Sequence, residues 1–197
     1  IGYGRALLRE GKIKDAFEQA SEAKKLVQEN DSEAVKETLA LNCEVLFRLK
    51  RYDKALIEAE SLLAVDKKSV VGQFYKGAIL FQQGLNAKDS KKAREGELLM
   101  TRTVQVRQNP ADYVAAAKIL GSVKSKRSAA LQLLDSALKV DSKYAEAHLL
   151  HVMLREKTNN PQLLKKAIEN ALKALPKNID LNVRLSGIYW DQKKETL

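Results

Sequence analysis

The two histidines, His148 and His151, lie three residues apart and are the only imidazole groups of the chain. On a helix this spacing places both rings on one face, where they could share a metal ion. A protein zinc site needs a third and usually a fourth ligand. Glu146 does not share that face, and no cysteine lies nearby in the sequence. We therefore expect packing or polar interface roles for both histidines, and we expect no metal ion or other cofactor.

Cys43 is the single cysteine, which excludes an internal disulfide and fits a reducing compartment. It occupies a position facing a neighbouring helix, where a small apolar side chain fits, so we expect packing rather than a reactive thiol. The chain contains no G-x-S-x-G, HExxH, phosphate-loop or EF-hand pattern. We therefore predict no catalytic residues and no enzyme activity.

Small and apolar residues recur at a fixed interval along the chain. The residues Ala16, Ala20 and Ala23 return thirty-nine positions later as Ala55, Ala59 and Leu62. A second series returns after thirty-four positions, in which Ala130, Leu134 and Ala137 match Leu164, Ile168 and Ala171. A period of this length is typical of paired helices stacked side by side, with small residues where two backbones approach.

This pattern resembles the tetratricopeptide repeat (TPR) family, in which Gly or Ala marks the first helix and Ala recurs in the second. The resemblance implies an all-α, right-handed α-solenoid of antiparallel helix pairs that binds other proteins. It divides a single domain, 1–197, which we interpret as a fragment of a longer protein, into the units 1–30, 36–69, 70–110, 111–144, 145–178 and a partial 179–197. The stretch DSEAV lengthens the link after the first unit. A globular helical bundle remains the alternative partition.

The resemblance also implies that the first helices of successive units line a concave groove. The side chains that we expect to bind a partner in this groove are mostly apolar: Leu41, Phe47, Phe74, Tyr75, Phe81, Leu150 and Met153. Such a strip favours a peptide segment or an amphipathic helix with aliphatic anchors. Two alternatives stay open, namely that the aromatic residues are core, and that another part of the same polypeptide fills the groove.

TPR co-chaperones hold the acidic C-terminal tail of heat-shock chaperones with a clamp of Lys, Asn and Arg side chains. The aligned positions here are Ile1, Arg5, Leu41, Val71 and Tyr75. Only Arg5 is cationic, and it stands where a neutral amide is expected. Without charge-assisted donors a terminal carboxylate is held weakly, so we do not expect binding of a chaperone tail.

The net charge of +10 is concentrated in the middle of the chain. Residues 1–69 sum to zero, residues 70–144 to +7 and the remainder to +3. The predicted basic patch consists of Lys88, Lys91, Lys92, Arg94, Arg102, Arg107, Lys124, Lys126 and Arg127. One interpretation of such a patch is a solvated exterior. The alternative is a surface that attracts an acidic protein, an anionic membrane surface or nucleic acid. No aromatic side chains alternate with these cations to stack bases, which argues against nucleic acid.

Apolar residues make up 45% of the chain and charged residues 30%, which fits a folded, helix-rich protein. The sequence shows no membrane-spanning run and no signal peptide, and we expect an intracellular, cytoplasmic location. We interpret the chain as a protein-interaction scaffold or adaptor. The alternatives are a surface that binds nucleic acid or an acidic partner through residues 88–127, and a permanent structural subunit of a large assembly.

Overall fold

In a computed structural model, residues 1–28 and 30–195 are described, with side chains described as far as residue 190. These residues contain no β-strand, so the predicted all-α class is confirmed. Within the described ranges the α-helices are α1 (Gly2–Arg9), α2 (Ile13–Leu26), α3 (Ser32–Arg48), α4 (Tyr52–Val65), α5 (Val70–Asn86), α6 (Ser90–Arg107), α7 (Pro110–Gly121), α8 (Arg127–Val140), α9 (Ala145–Glu156), α10 (Pro161–Ala174) and α11 (Ile179–Glu195). A short 3₁₀ turn, Lys124–Lys126, precedes α8.

Side-chain caps fix where many of these helices begin. The Asp31 carboxylate accepts a hydrogen bond from the Ala34 N–H at 3.0 Å, so α3 starts at Ser32. The residues of the supposed link DSEAV therefore belong mainly to a helix, because an aspartate at the N-cap satisfies an orphan donor of the first turn. Asn109 and Asn160 cap α7 and α10 in the same way, each followed by a proline at the first helical position.

Several first helices end in the same left-handed turn. Gly11, Lys50 and Lys88 have φ values of 76°, 58° and 55° and lie two residues beyond the ends of α1, α3 and α5. The following N–H groups of Lys12, Arg51 and Asp89 donate back to carbonyls five residues earlier. This arrangement satisfies the last carbonyls of each helix and reverses the chain into the second helix.

The helices form two compact units, Ile1–Val106 and Arg107–Leu197. In the first unit, consecutive helices pack against each other through small residues. Ala16 and Ala20 of α2 and Ala55 and Ala59 of α4 have no exposed surface, which fits small residues packed between neighbouring helices.

The second unit repeats this packing. Ala130, Leu134 and Ala137 of α8 are fully enclosed, as are Ile168 and Ala171 of α10. The α10 residues share a core cluster with Val152 of α9 and Leu181 of α11, which joins three successive helices. No helix among the described residues is long and apolar enough to cross a bilayer.

Candidate functional site

In the second unit, the first helices α9 and α11 expose large apolar side chains. Leu149 and Met153 of α9 are 42% and 43% exposed, and Val183 and Trp190 of α11 are 65% and 64% exposed. The spacings of four and seven residues place each pair on one face of its helix. We call these four residues the apolar face. Exposed apolar groups on one surface mark an interaction site more often than scattered ones do.

Ion pairs connect the helices that carry this face. The Arg184 guanidinium of α11 contacts the carboxylates of Glu156 on α9 and Asp180 on its own helix. Lys118 of α7 contacts Glu146 of α9. Because these charged groups are partly exposed, each pair contributes little to stability. They link α7 with α9 and α9 with α11.

Four residues of the predicted groove are buried in the core. Leu41, Phe74, Phe81 and Leu150 have exposed fractions of 1%, 9%, 0% and 6%. Leu41 packs with Leu7 and Val45 of the first core cluster. These residues cannot anchor a partner, because the helix face that carries them is already covered by neighbouring helices.

The aromatic residues of the first unit form a connected cluster instead of an open groove. The ring of Phe47 lies 5.7 Å from Tyr52 and 5.6 Å from Tyr75, and Phe74 lies 5.2 Å from Tyr75. These tilted and edge-on contacts are the favourable geometry for aromatic pairs. Phe74 is buried, whereas Phe47 and Tyr75 are half-buried. Of the seven predicted groove residues, Met153 is the most exposed.

Charged groups border this cluster. Burial of its hydroxyl group, and then the nearby Glu44 carboxylate, raise the pKa of Tyr75 well above its ordinary value. Glu44 accepts from Arg48 at 2.7 Å, and Arg48 also donates to the Leu8 carbonyl at 3.1 Å. The first helices of this unit therefore carry charged groups beside the aromatic cluster.

The residues of the predicted basic patch are distributed over both compact units. Lys88, Lys91, Lys92, Arg94 and Arg102 belong to the first unit, and Lys88, Lys91, Arg94 and Arg102 are exposed. In the second unit, the Arg107 guanidinium lies 3.2 Å from the Asp112 carboxylate. Burial raises the pKa of Asp112, and Arg107 opposes that change.

Two further cations of the patch, Lys124 and Arg127, line a depression at the turn between α9 and α10. A cavity of about 580 Å³, here called the basic cavity, is lined by Lys124, Arg127, Ser128, Lys157, Thr158 and Asn159. Arg127 is held in place by donation to the Lys157 carbonyl at 3.0 Å. Sequence reasoning missed Lys157, because it lies thirty residues from Arg127 and only the helix pairing brings the two together.

Neither histidine has the surroundings of a metal ligand. The His148 ring contacts the Ser142 carbonyl at 2.9 Å, and His151 lies 3.4 Å from the Asp135 carboxylate. Among the residues whose placement is described, no three His, Cys, Asp or Glu side chains could hold a metal ion. Cys43 is buried, and its thiol lies 3.5 Å from the Ala55 carbonyl.

Comparison with known proteins identifies the fold. No protein-family model and no curated protein sequence matches the chain. Among solved structures, it is similar to TTC0263, a thermophilic TPR protein of Thermus thermophilus, at 16% identity and a TM-score of 0.69 over 96% of this chain and 97% of that one. It is also similar to YrrB, described as a TPR protein with an unusual peptide-binding site, at 15% identity and a TM-score of 0.52 over 95% and 90% of the two chains.

A third similar structure is the Cut9–Hcn1 hetero-tetramer of APC/C, at 16% identity and a TM-score of 0.59, covering 95% of this chain and 35% of that one. At such identities the likeness concerns the arrangement of the helices alone. Together with the helix pairs, the alanine contacts and the left-handed turns, these comparisons show that the chain has the tetratricopeptide-repeat fold.

Proposed function

We propose that the chain is a protein-interaction scaffold that captures a peptide segment or an amphipathic helix of a partner on the apolar face. The observation that supports this proposal is the exposure of Leu149, Met153 and Val183 on two neighbouring first helices. Fully burying one such side chain contributes roughly 1.5–3 kcal/mol. Since these groups are already half-covered, each one contributes roughly half as much on binding.

A few such anchors are enough for a specific complex. Alanine scanning of interfaces finds that a small number of residues carry most of the binding free energy. The flexible thioether of Met153 adapts to the shape of an incoming side chain, which suits a site that accepts a helix or an extended segment. The description of YrrB as a peptide-binding TPR protein supports the same mode by analogy of fold.

A matched set of variants tests this proposal. The chain offers Leu163 of α10, which is 40% exposed, as a counterpart of Leu149 on a second helix of the same unit. We expect the double variant Leu149→Glu, Met153→Glu to lose partner proteins that wild-type protein captures from a cell extract. The variant Leu163→Glu should retain them. Equal loss in both, or in neither, would exclude the apolar face as the binding site.

The basic cavity supports a second candidate function, the binding of an acidic protein segment. Three cationic side chains, Lys124, Arg127 and Lys157, line it, and no carboxylate belongs to its described lining. No aromatic ring belongs to that described lining either, so it offers no stacking surface for nucleic-acid bases. A salt titration separates the two functions: capture through this cavity weakens steeply as salt rises, whereas capture on the apolar face changes little.

A third candidate is a permanent structural role in a large assembly, for which the likeness to a Cut9 chain of APC/C is an analogy of fold. A permanent subunit would remain with its partners through size-exclusion chromatography at high dilution. Exchange of the partner under those conditions supports the scaffold proposal instead.

A further inference from the structure

A cavity of about 330 Å³ opens between α2, α3 and α4 of the first unit. We call it the α2–α4 cavity. It lies on second helices and on α3, and none of the residues of the apolar face belongs to it. Its volume is at the lower end of the range for ligand sites, which is enough for one or two side chains. Its lining consists of Phe17, Ser21, Lys24, Lys25, Asn42, Leu46, Lys54, Ile57 and Glu58.

Apolar groups supply part of the wall. Phe17 is partly buried, Leu46 is buried, and Ile57 is 62% exposed. The Arg51 guanidinium lies 4.8 Å from the centre of the Phe17 ring and holds this ring in place by a cation–π contact. An apolar side chain that entered the cavity would therefore meet a fixed aromatic wall and cover Ile57.

A buried carboxylate contributes to the lining. Glu58 is 8% exposed and forms an ion pair with Lys24 through one of its oxygens. The other oxygen, Oε2, is enclosed and has no hydrogen-bond donor among the described residues. A buried acceptor without a donor is unfavourable, and its enclosure keeps this oxygen out of reach of a ligand in the cavity.

Lysines outnumber carboxylates around the cavity. Lys24 is neutralised by Glu58, and Lys25 contacts Glu22 at 2.7 Å. Lys54 has no acidic partner in the described part of the chain and is exposed. The cavity thus combines an apolar wall with at least one cation able to pair with an acidic ligand.

We propose that the α2–α4 cavity binds an acidic peptide segment through one large apolar side chain. The apolar side chain packs on Phe17 and Ile57, and a flanking carboxylate pairs with Lys54. This site is separate from the apolar face, so either can fail without the other.

The probe is a fluorescein-labelled, seven-residue peptide of aspartates and glutamates with one central phenylalanine. Fluorescence anisotropy measures its binding to the whole chain. We expect saturable binding that weakens at least tenfold in Lys54→Glu and in Ile57→Asp. The matched control is Lys91→Glu on α6, an exposed lysine outside the cavity with the same change of charge. It should bind as wild-type protein does.

Two further peptides test the chemistry of the ligand. Replacing the central phenylalanine by serine should abolish binding, and replacing the acidic residues by lysine should do the same.

The proposal is overturned by absence of saturable binding at 1 mM protein, by equal effects of Lys54→Glu and Lys91→Glu, or by undiminished binding of the serine peptide. It is also overturned if single-stranded RNA binds with the same sensitivity to Lys54→Glu, or if Ile57→Asp instead dissolves a dimer of the chain in sedimentation. Circular dichroism verifies that Ile57→Asp remains folded.

Discussion

Gly77 of α5 and Gly96 of α6 face each other with almost no space between the two backbones. A Cβ atom added to Gly77 would lie 2.8 Å from the Gly96 carbonyl oxygen and 2.6 Å from the Met100 nitrogen. A Cβ on Gly96 would overlap the backbone of Phe81 and the carbonyl of Gly77. Since real side chains do not approach backbone atoms this closely, the crossing of α5 and α6 depends on both glycines.

The variant Gly96→Ala should therefore destabilise the first unit. Overpacking typically costs about 1–3 kcal/mol, and here the obstacle is backbone that cannot rotate away. Gly187 on α11 is the matched control, because nothing lies within 4 Å of a Cβ built there. Gly187→Ala should stabilise by about 0.5–1 kcal/mol through its higher helix propensity. Urea unfolding measures both changes, and the same sign for the two would contradict this description of the crossing.

Phe81 is a structural residue. Its side chain is fully enclosed, so Phe81→Ala should lower the free energy of unfolding by about 3–5 kcal/mol. Val106, which is 84% exposed, serves as the comparison, and Val106→Ala should change stability by less than about 0.5 kcal/mol. Thermal unfolding followed by circular dichroism compares the two variants. A Phe81→Ala protein that is as stable as wild-type protein would show that the Phe81 side chain is not part of the core.

The helix pairs were predictable from the sequence, whereas the exposed side of each first helix was predictable only in part. Ala16, Ala55 and Ala137 revealed the pairing because a small residue at a close crossing is needed at every repeat. By contrast, Leu149 and Leu150 are neighbours in sequence, yet one is exposed and the other buried. A first helix packs on its own second helix and on adjacent units. The rotation of the helix about its axis therefore decides which of two consecutive leucines is exposed to a partner.

The charged cavities depended on contacts between residues that are distant in the sequence. Lys157 joins Arg127 across thirty residues, and Glu58 of α4 joins Lys24 of α2 across thirty-four. No spacing between residues that are close in the sequence predicts such pairs. The α3 start at Ser32, however, was within reach of sequence reasoning, because Asp31 is an N-cap residue type.

Cys43 should be unreactive in the folded protein. Burial raises the pKa of its thiol, and the Glu58 and Glu44 carboxylates raise it further. Because the thiolate is the reactive form, a disulfide reagent at pH 8 should label native protein at least about 10³-fold more slowly than the unfolded chain. A colorimetric thiol assay with and without denaturant measures the two rates. Labelling at the rate of a free cysteine would show that the α3–α4 contact opens readily.

His151 should make the second unit less stable in mild acid. Burial lowers the pKa of this imidazole, while the Asp135 carboxylate raises it and Arg155 and His148 lower it. The folded state therefore binds a proton less readily than the unfolded state, in which the pKa is about 6.5. Stability is greatest above that unfolded-state value and falls as the pH decreases towards the lower pKa of the folded state.

The comparison of wild-type protein with His151→Gln isolates this contribution. Urea unfolding at pH 7.5, 6.5 and 5.5 should show a steeper loss in wild-type protein, because glutamine does not titrate. A constant difference between the two proteins across this range would mean that burial does not disfavour the charged imidazole.

The proposed scaffold function requires that the apolar face contact a protein partner. Site-specific photocrosslinking tests it directly, with a benzophenone side chain placed at Met153 in one protein and at Leu163 in another. Illumination in a cell extract should join a partner polypeptide to the residue-153 probe, and mass spectrometry should map the contact to an apolar segment of that partner. The residue-163 probe should give no such product. Crosslinking at residue 163 alone, or equally at both positions, would contradict the proposed binding surface.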